Sequence, residues 1–571
     1  MLNNLKKLNF IVTKRQRKGL IILSVLLLFS IILEMFGLGI LIPIISVILD
    51  EKIIENNAIV SSIYNYLKIN SYVDFVLLSL LTLLLLSIIK AGFALLLSFK
   101  QNRFLTNLTS SVGVRLFKNY LFSPYKFHLA KNSSELLKNL QIEVNFFGNF
   151  CNSILTLASE IFLLFALMLT LLIIEPFGAL ILGSSLTFLS LIFFQYTKKK
   201  LSYWGVEREK MDNKVSKISL ESLSLIKEIK ISGKENFFLE NFSKSSFIKS
   251  RLSSNQLTIA QLPRLYLELI SIIGLIAFIS IMLFQGKPIS SLISTLGVFV
   301  AAVFKLIPSM NKIIGNLQQL KYYESSIQLI YNELSFFEPK LIETSSIKID
   351  LNRSIKLQKI IYKHEQSTIL NEIDFEILKG ERIGIIGKSG SGKSTLVDLI
   401  AGIHLPESGD ITVDGVSIKN NLKSWQMKIG YVPQNIKLMN ASIKENIALG
   451  FKTEEIDLDK INEVIIAVQL SKFIEDLPKG LNTYVGDNGS QISVGQKQRI
   501  GLARALYSNP SLLVLDEATA SLDTQTEIDV MKSIYNLDKQ ITILIVAHRT
   551  STLSKCNKTY EVLNGKLNLI K

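Results

Sequence analysis

Long apolar stretches dominate the first part of the chain and limit what that part can fold into. A helix that crosses the hydrocarbon core of a bilayer needs about 20 mostly apolar residues and satisfies its own backbone polar groups there. Stretches of this kind lie at residues 19–49, 73–99, 150–174, 177–195, 257–284 and 288–314. We therefore predict a polytopic membrane domain of six transmembrane helices over residues 1–335.

The basic charge of the chain accompanies these apolar stretches. The net charge is +16, and almost all of the excess lies before residue 340. The segment before the first stretch has no acidic residue and carries Lys6, Lys7, Lys14, Arg15, Arg17 and Lys18. The positive-inside rule places this end in the cytoplasm, and we expect the inner membrane of a bacterium. A nucleic-acid binder would carry its charge on the soluble half, so we expect no nucleic-acid partner.

The segments between the apolar stretches alternate in length. Two long, lysine-rich segments, 100–149 and 196–248, are expected in the cytoplasm, where the membrane helices extend into them. The segment 50–72 lies on the other side, and its residues Ile59, Ile63 and Tyr66 are near helical spacing. This pattern fits a short amphipathic helix on the outer surface, and an ordinary linker fits it equally well.

After residue 335 the character of the sequence changes. Short β-rich runs, such as 383–386, 512–515 and 541–546, alternate with helical stretches. This alternation is typical of an α/β domain with a mainly parallel sheet. We therefore predict a second, α/β domain over residues 336–571.

A glycine-rich segment follows the first of these strands and opens a helical run. It reads Gly387-Lys388-Ser389-Gly390-Ser391-Gly392-Lys393-Ser394-Thr395. This is the P-loop pattern G-x-x-x-x-G-K-[ST] in its expected context. Its glycines let backbone N–H groups surround a phosphate chain, while Lys393 reaches the β- and γ-phosphates and the Ser394 hydroxyl ligates Mg²⁺. The pattern predicts a site for ATP and Mg²⁺.

Two carboxylates end a second buried strand. The run 512–515 is wholly apolar and is followed directly by Asp516 and Glu517. The first carboxylate at such a strand end can hold the Mg²⁺ shell, and the next can polarise an attacking water. Together with the P-loop, this pair indicates ATP hydrolysis.

Between these two motifs the chain resembles the ATP-binding cassette (ABC) transporter family. The segment Ile492-Ser493-Val494-Gly495-Gln496 stands where the family has Leu-Ser-Gly-Gly-Gln. Two positions differ, Ile492 and Val494. The resemblance implies that Ser493, Gly495 and Gln496 belong to the ATP site, with the serine and the glycine facing the γ-phosphate.

Other family elements follow in the expected order. Tyr362 resembles the aromatic residue on which adenine stacks, and Gln434 resembles the glutamine that touches Mg²⁺ and senses the membrane domain. Asp523 resembles the D-loop residue, and His548 the histidine that holds the γ-phosphate. The resemblance then implies that Glu517 is the general base or water-orienting carboxylate.

The resemblance also implies an assembly. In the family, the P-loop of one domain meets the signature segment of another across the nucleotide. This chain has one of each and six predicted spans, so it resembles a half-transporter that works as a homodimer. A membrane half followed by a nucleotide half is the exporter arrangement, and the nucleotide-binding domain is expected in the cytoplasm.

Ionisable residues interrupt the apolar stretches. They are Glu34, Lys90, Glu160, Arg264, Glu268, Lys305 and, near a helix end, Lys312. Such residues are costly in lipid and usually face a cavity or a partner. The basic ones lie toward the cytoplasmic leaflet and fit two interpretations. They bind an anionic head group such as a lipid pyrophosphate, or they pair with the three glutamates or snorkel to the interface.

Two blocks of the membrane half, 262–268 and 304–312, are similar to ABC exporters that flip a lipid-linked oligosaccharide. The resemblance implies ATP-driven transfer of a polyprenyl-pyrophosphate-linked saccharide to the outer leaflet. It makes Lys90, Arg264, Lys305 and Lys312 the candidate residues for the anionic lipid-linked saccharide. Lysine stands at three of these positions where that group has arginine, and lysine lacks arginine's bidentate fork. The exact head group therefore stays open.

Three other functions compete with this one. An exporter of apolar drugs, or of lipids such as lipid A, predicts that neutralising Lys90, Arg264 and Lys305 spares transport. A peptide exporter often carries an N-terminal peptidase domain, which we do not expect ahead of residue 19. A non-transporting ATPase is disfavoured because Lys393, Glu517 and His548 are all present.

Overall fold

The computed structural model of the chain divides into two compact units. It describes residues 2–49, 58–66, 71–174, 176–284, 289–336, 348–364, 367–519, 524–547 and 549–571. The first unit comprises Met1–Ser123 and Phe127–Glu338, and the second comprises Pro124–Lys126 and Pro339–Lys571.

Helices form all the described regular structure up to residue 336. The long ones are α2 (Lys14–Leu49), α4 (Tyr72–Leu121), α7 (Val144–Ile174), α8 (Pro176–Ser224), α10 (Glu235–Phe284) and α11 (Ile289–Tyr322). The short ones are α1 (Leu2–Ile11), α3 (Ala58–Tyr66), α5 (Tyr125–Ala130), α6 (Ser133–Lys138), α9 (Ile226–Ser232) and α12 (Glu324–Phe336). Each predicted span falls almost wholly within one long helix.

Four described segments are long and apolar enough to cross a membrane. They are Lys14–Gly37, Tyr72–Leu121, Ser133–Thr170 and Glu235–Ile276. In the second of them only 6% of the most apolar window is buried within the chain, so its leucines and isoleucines face outward. Such a surface requires an apolar surrounding, as lipid provides. The spans predicted at 177–195 and 288–314 lie in α8 and α11, and many of their side chains are outside the described residues.

The predicted outer segment contains a helix. Helix α3 (Ala58–Tyr66) lies within the segment 50–72, much of which is outside the described residues. The Tyr64 ring meets Phe75 of α4 edge-on, with the ring centroids 5.2 Å apart. The side chains of Ile59 and Ile63 are not among those described, so the amphipathic face stays a prediction.

A buried cluster of charges joins helices of the first unit. Lys138, Glu143, Arg208 and Asp212 have side chains that are at most 1% exposed. The Arg208 guanidinium lies 3.5 Å from Glu143 and 3.4 Å from Asp212, and Lys138 lies 3.3 Å from Glu143. The Phe146 ring, centred 3.9 Å from the guanidinium carbon, adds a cation–π contact. A π-helical turn, Asn139–Glu143, carries Glu143 into this cluster.

The second unit has the predicted α/β composition. Its strands are β1 (Ser354–His364), β2 (Ser367–Leu378), β3 (Arg382–Ile386), β4 (Ser408–Val413), β5 (Val416–Ser417), β6 (Ile429–Val432), β7 (Leu512–Asp516), β8 (Thr542–Val546), β9 (Lys558–Leu563) and β10 (Lys566–Leu569). Its helices are α13 (Lys393–Ile400), α14 (Leu422–Gln426), α15 (Ile443–Ile447), α16 (Leu458–Ala467), α17 (Ser471–Glu475), α18 (Val494–Tyr507) and α19 (Thr524–Tyr535).

Strand order brings the sequence motifs to one edge of a sheet. The larger sheet has the order β10-β9-β3-β8-β7-β6, and its five strands from β9 to β6 are parallel. An antiparallel sheet of order β2-β1-β4-β5 accompanies it. Every side chain of β7 and β8 is buried, which explains their uninterrupted apolar sequences. The carboxyl ends of β3, β7 and β6 therefore lie close together, which is where open α/β sheets bind ligands.

Candidate functional site

The glycine-rich loop curls between β3 and α13. Gly387, Gly390 and Gly392 have φ angles of +153°, +77° and +102°. At Gly387 an added Cβ would lie 2.7 Å from the Ser391 hydroxyl and 2.7 Å from the Val562 carbonyl oxygen, so only glycine fits there. Because α13 begins at Lys393, the loop presents the N-terminus of this helix to an anion.

Lys393 is the buried cation of this loop. Its side chain is only 4% exposed, and its ammonium donates hydrogen bonds to the carbonyl oxygens of Gly387 at 3.0 Å and of Lys388 at 3.1 Å. It also lies 3.9 Å from a carboxylate oxygen of Glu517. The predicted phosphate-binding lysine and the predicted water-activating carboxylate therefore share one site.

Asp516 ends β7 with one carboxylate oxygen engaged and one open. Oδ2 accepts a hydrogen bond from the Tyr431 hydroxyl at 3.1 Å. Oδ1 is buried and accepts no hydrogen bond from the described residues. Burial, and then the neighbouring Glu517 carboxylate, raise the pKa of Asp516. The Ser394 side chain interacts with the same carboxylate, so two hard oxygen ligands for a cation lie side by side.

Glu517 occupies a strained backbone position. Its φ is +50°, a left-handed conformation that is uncommon for a residue other than glycine, and its N–H donates to the Val546 carbonyl oxygen of β8 at 3.1 Å. Its Oε2 accepts a hydrogen bond of 2.9 Å from the amide of Gln434. The structure thus joins the acidic pair to the predicted glutamine, which follows β6 in sequence.

The predicted adenine contact lies on the antiparallel sheet. Tyr362 belongs to β1, and its ring lies 5.4 Å from the His404 ring. Burial, and then Asp398 and Glu407, raise the pKa of Tyr362. Part of the ring stays accessible. A half-exposed aromatic ring of this kind can stack on a base.

The signature segment is held by its own helix. Ser493 is the N-cap of α18, where its hydroxyl accepts from the Gln496 N–H at 3.2 Å and its N–H donates to the Gln496 side chain at 2.8 Å. This reciprocal capping box satisfies the helix end and explains the spacing of the two residues. Within the described part of the chain, each side chain bonds to the backbone N–H of the other residue rather than to the Gly387–Lys393 loop, and Gly495 lies in the first turn.

Two of the predicted residues of this site, His548 and Asp523, lie outside the part of the chain that the structure describes. The other residues of the glycine-rich segment, Ser389, Ser391 and Thr395, lie in the loop or in the first turn of α13.

Two residues near the site were not predicted from the sequence. Tyr431 binds Asp516, and Asp398 of α13 has its pKa raised to about 6 by burial and by the Asp516 carboxylate. Asp398 follows the glycine-rich segment in the chain, and Tyr431 lies in β6, the strand beside β7. Neither residue belongs to a recognised sequence motif. Sheet order was the signal that could have identified Tyr431, because β6 and β7 are neighbours.

Three of the four candidate basic residues of the membrane helices are paired with carboxylates. Lys90 lies 2.5 Å from Glu34, Arg264 lies 2.9 Å from Glu268, and Lys312 lies 2.7 Å from Glu160. Ser309 also donates to Glu160, at 2.8 Å. These are the glutamate partners considered in the sequence. The fourth candidate, Lys305, lies in α11, and its side chain is outside the described residues.

A cavity of about 230 Å³ with a mixed polar and apolar lining lies among the helices that carry two of these pairs. Both Glu34 and Glu160 line it, so each ion pair has one member at its wall. Its other polar lining residues are Ser30, Ser98, Gln101 and Ser159. A cavity of this size and polarity holds several water molecules or a polar group of a ligand.

Comparisons with known proteins agree with this geometry. The family model described as "ABC transporter" matches residues 370–520, which contain the P-loop, the signature segment and the acidic pair. An ATP-dependent lipid A-core flippase of Coxiella burnetii is 26% identical over 471 residues, which cover 82% of this chain and 79% of that protein. The leukotoxin translocation ATP-binding protein of a Pasteurella haemolytica-like species is 40% identical over 210 residues, 36% of this chain and 29% of that protein.

A solved structure extends the match to the whole fold. It is described as a bacterial Atm1-family ABC exporter with ATP bound, and it aligns with a TM-score of 0.76 over 97% of this chain and 94% of that one at 20% identity. The helical membrane half and the α/β half therefore follow each other as in an exporter of that fold. Residues 370–520 therefore belong to the ABC transporter family, and the chain is an exporter-type membrane ATPase that couples ATP hydrolysis to transport.

Proposed function

We propose that this ABC exporter flips a polyprenyl-pyrophosphate-linked oligosaccharide, or a related lipid-linked saccharide, from the cytoplasmic to the outer leaflet. The observation that carries the proposal is the partly polar cavity among the membrane helices, whose two glutamates are each paired with a lysine. An apolar drug needs no such charges. A head group that carries phosphates and sugar hydroxyls can donate to the glutamates at the wall and can accept from the lysine of a pair that opens.

The cost of charge in lipid supports this interpretation. An intramembrane lysine is expensive unless it is paired, and a carboxylate partner offsets part of that cost in the absence of a ligand. A phosphate oxygen can replace that carboxylate, because both are anionic oxygen acceptors. The released glutamates can then accept hydrogen bonds from sugar hydroxyls. Lys312 and Arg264 suit such an exchange, because 58% and 72% of their side chains are exposed in the single chain.

The nucleotide site supplies the driving force in this proposal. Lys393 and the glycine-rich loop hold the phosphates, and Glu517, oriented by Gln434, positions the attacking water. The open oxygen of Asp516 and the Ser394 hydroxyl fit Mg²⁺, which when bound neutralises phosphate charge during transfer. His548 and Asp523 keep the roles that the family resemblance assigns them, toward the γ-phosphate and in the D-loop.

The assembly and location complete the proposal. One P-loop and one signature segment per chain support a homodimer with two ATP sites, since the capped Ser493 segment bonds within its own helix. The basic N-terminal segment supports an inner-membrane protein with its N-terminus and nucleotide-binding domain in the cytoplasm.

The test is ATP-dependent flipping of lipid-linked oligosaccharide in proteoliposomes. The variants are Glu517→Gln and the triple variant Lys90→Gln/Arg264→Gln/Lys305→Gln. A matched control triple is Lys210→Gln/Lys217→Gln/Lys230→Gln. These three lysines lie in α8 and α9, outside the predicted spans, and each is exposed and paired with a carboxylate. We expect the first triple to lose flipping by about tenfold or more, about 1.4 kcal/mol, with its basal ATPase retained. The control triple should retain both activities.

A lipid A flippase is the second candidate, because a relative with that name covers most of the chain. The same proteoliposomes loaded with lipid A distinguish the two. Flipping of lipid A without flipping of the oligosaccharide would overturn the proposed substrate and leave the ABC exporter assignment intact.

A further inference from the structure

Glu527 is a buried carboxylate to which the motifs give no role. It lies in the first turn of α19 and is only 7% exposed. Burying a carboxylate is costly unless it is paired and hydrogen-bonded, so its partners show what it holds in place.

Three side chains from two separate segments converge on Glu527. Oε1 accepts hydrogen bonds from the Thr519 hydroxyl at 3.1 Å and from the Thr552 hydroxyl at 2.7 Å. Oε2 accepts from the Arg549 guanidinium at 2.7 Å. Both threonines are themselves less than a tenth exposed, so these bonds are shielded from water.

The two segments are the ones that carry the hydrolytic groups. Thr519 stands two residues after Glu517, at the end of β7, and Arg549 directly follows His548 beyond β8. Strands β7 and β8 are paired neighbours, and the Glu517 N–H donates to Val546 of β8. Glu527 thus makes a second connection between the two chain segments, in addition to that backbone bond.

We infer that Glu527 is a positioning residue for ATP hydrolysis, which fixes the segment after Glu517 relative to the segment around His548. Water attack on a phosphate depends on geometry, and displacing one group by about 1 Å can cost about a hundredfold in rate. Glu517 also needs external restraint because its backbone is in a strained conformation. The inference rests on the proposed roles of Glu517 and His548, and it does not depend on the transported substrate.

The competing explanation is purely structural. An acidic residue in the first turn of a helix stabilises the helix dipole, and a buried ion pair can serve folding alone. Glu445 offers a matched control, because it lies in the first turn of α15 and accepts two hydrogen bonds from Ser442 in a capping box. It accepts two hydrogen bonds where Glu527 accepts three, and its partner Ser442 belongs to no hydrolytic motif.

The experiment compares Glu527→Gln and Glu445→Gln in the full-length detergent-solubilised protein, by ATPase kinetics and thermal unfolding. We expect Glu527→Gln to lower kcat by about tenfold to a hundredfold with the KM for ATP within about twofold. Glu445→Gln should leave kcat unchanged. Arg549→Gln should lower kcat similarly, and the double variant Glu527→Gln/Arg549→Gln should be no slower than either single one, because both act through one contact.

The outcomes separate this inference from the others. If kcat of Glu527→Gln stays at the parental value, or falls only as far as its folded fraction does, the positioning role is wrong. A Glu517→Gln variant measured in parallel tests the assignment of Glu517 itself. Failure to flip an oligosaccharide concerns only the substrate and leaves these kinetics unaffected.

Discussion

The nucleotide site and the membrane helices hold their charged groups in opposite ways. At the sheet edge, among the described residues, Asp516 keeps one buried oxygen open, and Lys393 donates to two loop carbonyls while its nearest carboxylate oxygen, of Glu517, lies 3.9 Å away. In the membrane helices Lys90, Arg264 and Lys312 each have a carboxylate within 3 Å. The first arrangement is prepared for a ligand that arrives with its own charges. The second is neutral without a ligand, so any ligand must compete with an internal partner.

The largest expected effect tests the nucleotide side of this comparison. Glu517→Gln keeps the size of the side chain but removes the carboxylate that positions or activates water, so kcat for ATP should fall about 100-fold or more. ATP binding should persist, because the loop and Lys393 are unchanged. Turnover and equilibrium nucleotide binding are measured on the same preparation. Hydrolysis at the parental rate would show that another group orients the water.

The nucleotide site was largely predictable from sequence because its residues are local to strand ends. The glycine-rich loop is contiguous, and parallel strands necessarily bring Gly387 and Asp516 to one edge. The capping box of Ser493 and Gln496 also depends on a spacing of three residues. Tyr431 was missed because its bond to Asp516 depends on which strands are neighbours. Strand order is a property of the tertiary fold.

The membrane helices show the limit of sequence reasoning. Helical rise gives the depth of a residue along its helix, but not the neighbour across from it. Glu160 and Lys312 are 152 positions apart, and Glu34 and Lys90 meet only because α2 packs on α4. The sequence therefore predicted the candidates and the set of possible partners, but it left open whether they would be paired.

The next largest effect compares a buried pair with an exposed one in the helical unit. Arg208→Met would leave Glu143 and Asp212 without their guanidinium in a dry cluster, and we expect a loss of about 3–5 kcal/mol of stability. Arg264→Met, at a pair whose members are 72% and 47% exposed, should cost at most about 1 kcal/mol. Denaturation of the two variants in one detergent is the measurement. Equal losses would contradict the distinction between buried and exposed charges.

A charge swap in the membrane helices should have an intermediate effect on transport. Glu34→Lys/Lys90→Glu preserves the ion pair but moves the cation from α4 to α2. If the lysine binds a phosphate, flipping should fall by about tenfold while thermal stability stays near the parental value. If the pair serves folding alone, the swap should restore both the flipping activity and the thermal stability that Lys90→Gln loses. Flipping and unfolding are both measured, with Lys90→Gln as the reference.

The smallest effect concerns the charge already present beside the P-loop. Burial and Asp516 raise the pKa of Asp398 from an ordinary 3.8 to about 6. The folded state therefore binds this proton more tightly than the unfolded state, so the stability that protonation contributes is lost as the pH rises from about 4 to about 6. Above that range the ionised Asp398 lowers the stability of the fold, although partial exposure limits this penalty to about 1 kcal/mol.

Asp398→Asn should then raise the melting temperature of the nucleotide-binding domain by about 2–4 °C at pH 7.5, and by less at pH 5. A gain that is larger at pH 5 would mean that the carboxylate is not held in its neutral form. Removing one member of a membrane ion pair should give no such gain in melting temperature, because the other member is left without its partner. A rise in melting temperature therefore indicates the nucleotide site, where carboxylates repel each other until a cation binds. A fall indicates a membrane pair, in which the two charges already neutralise each other.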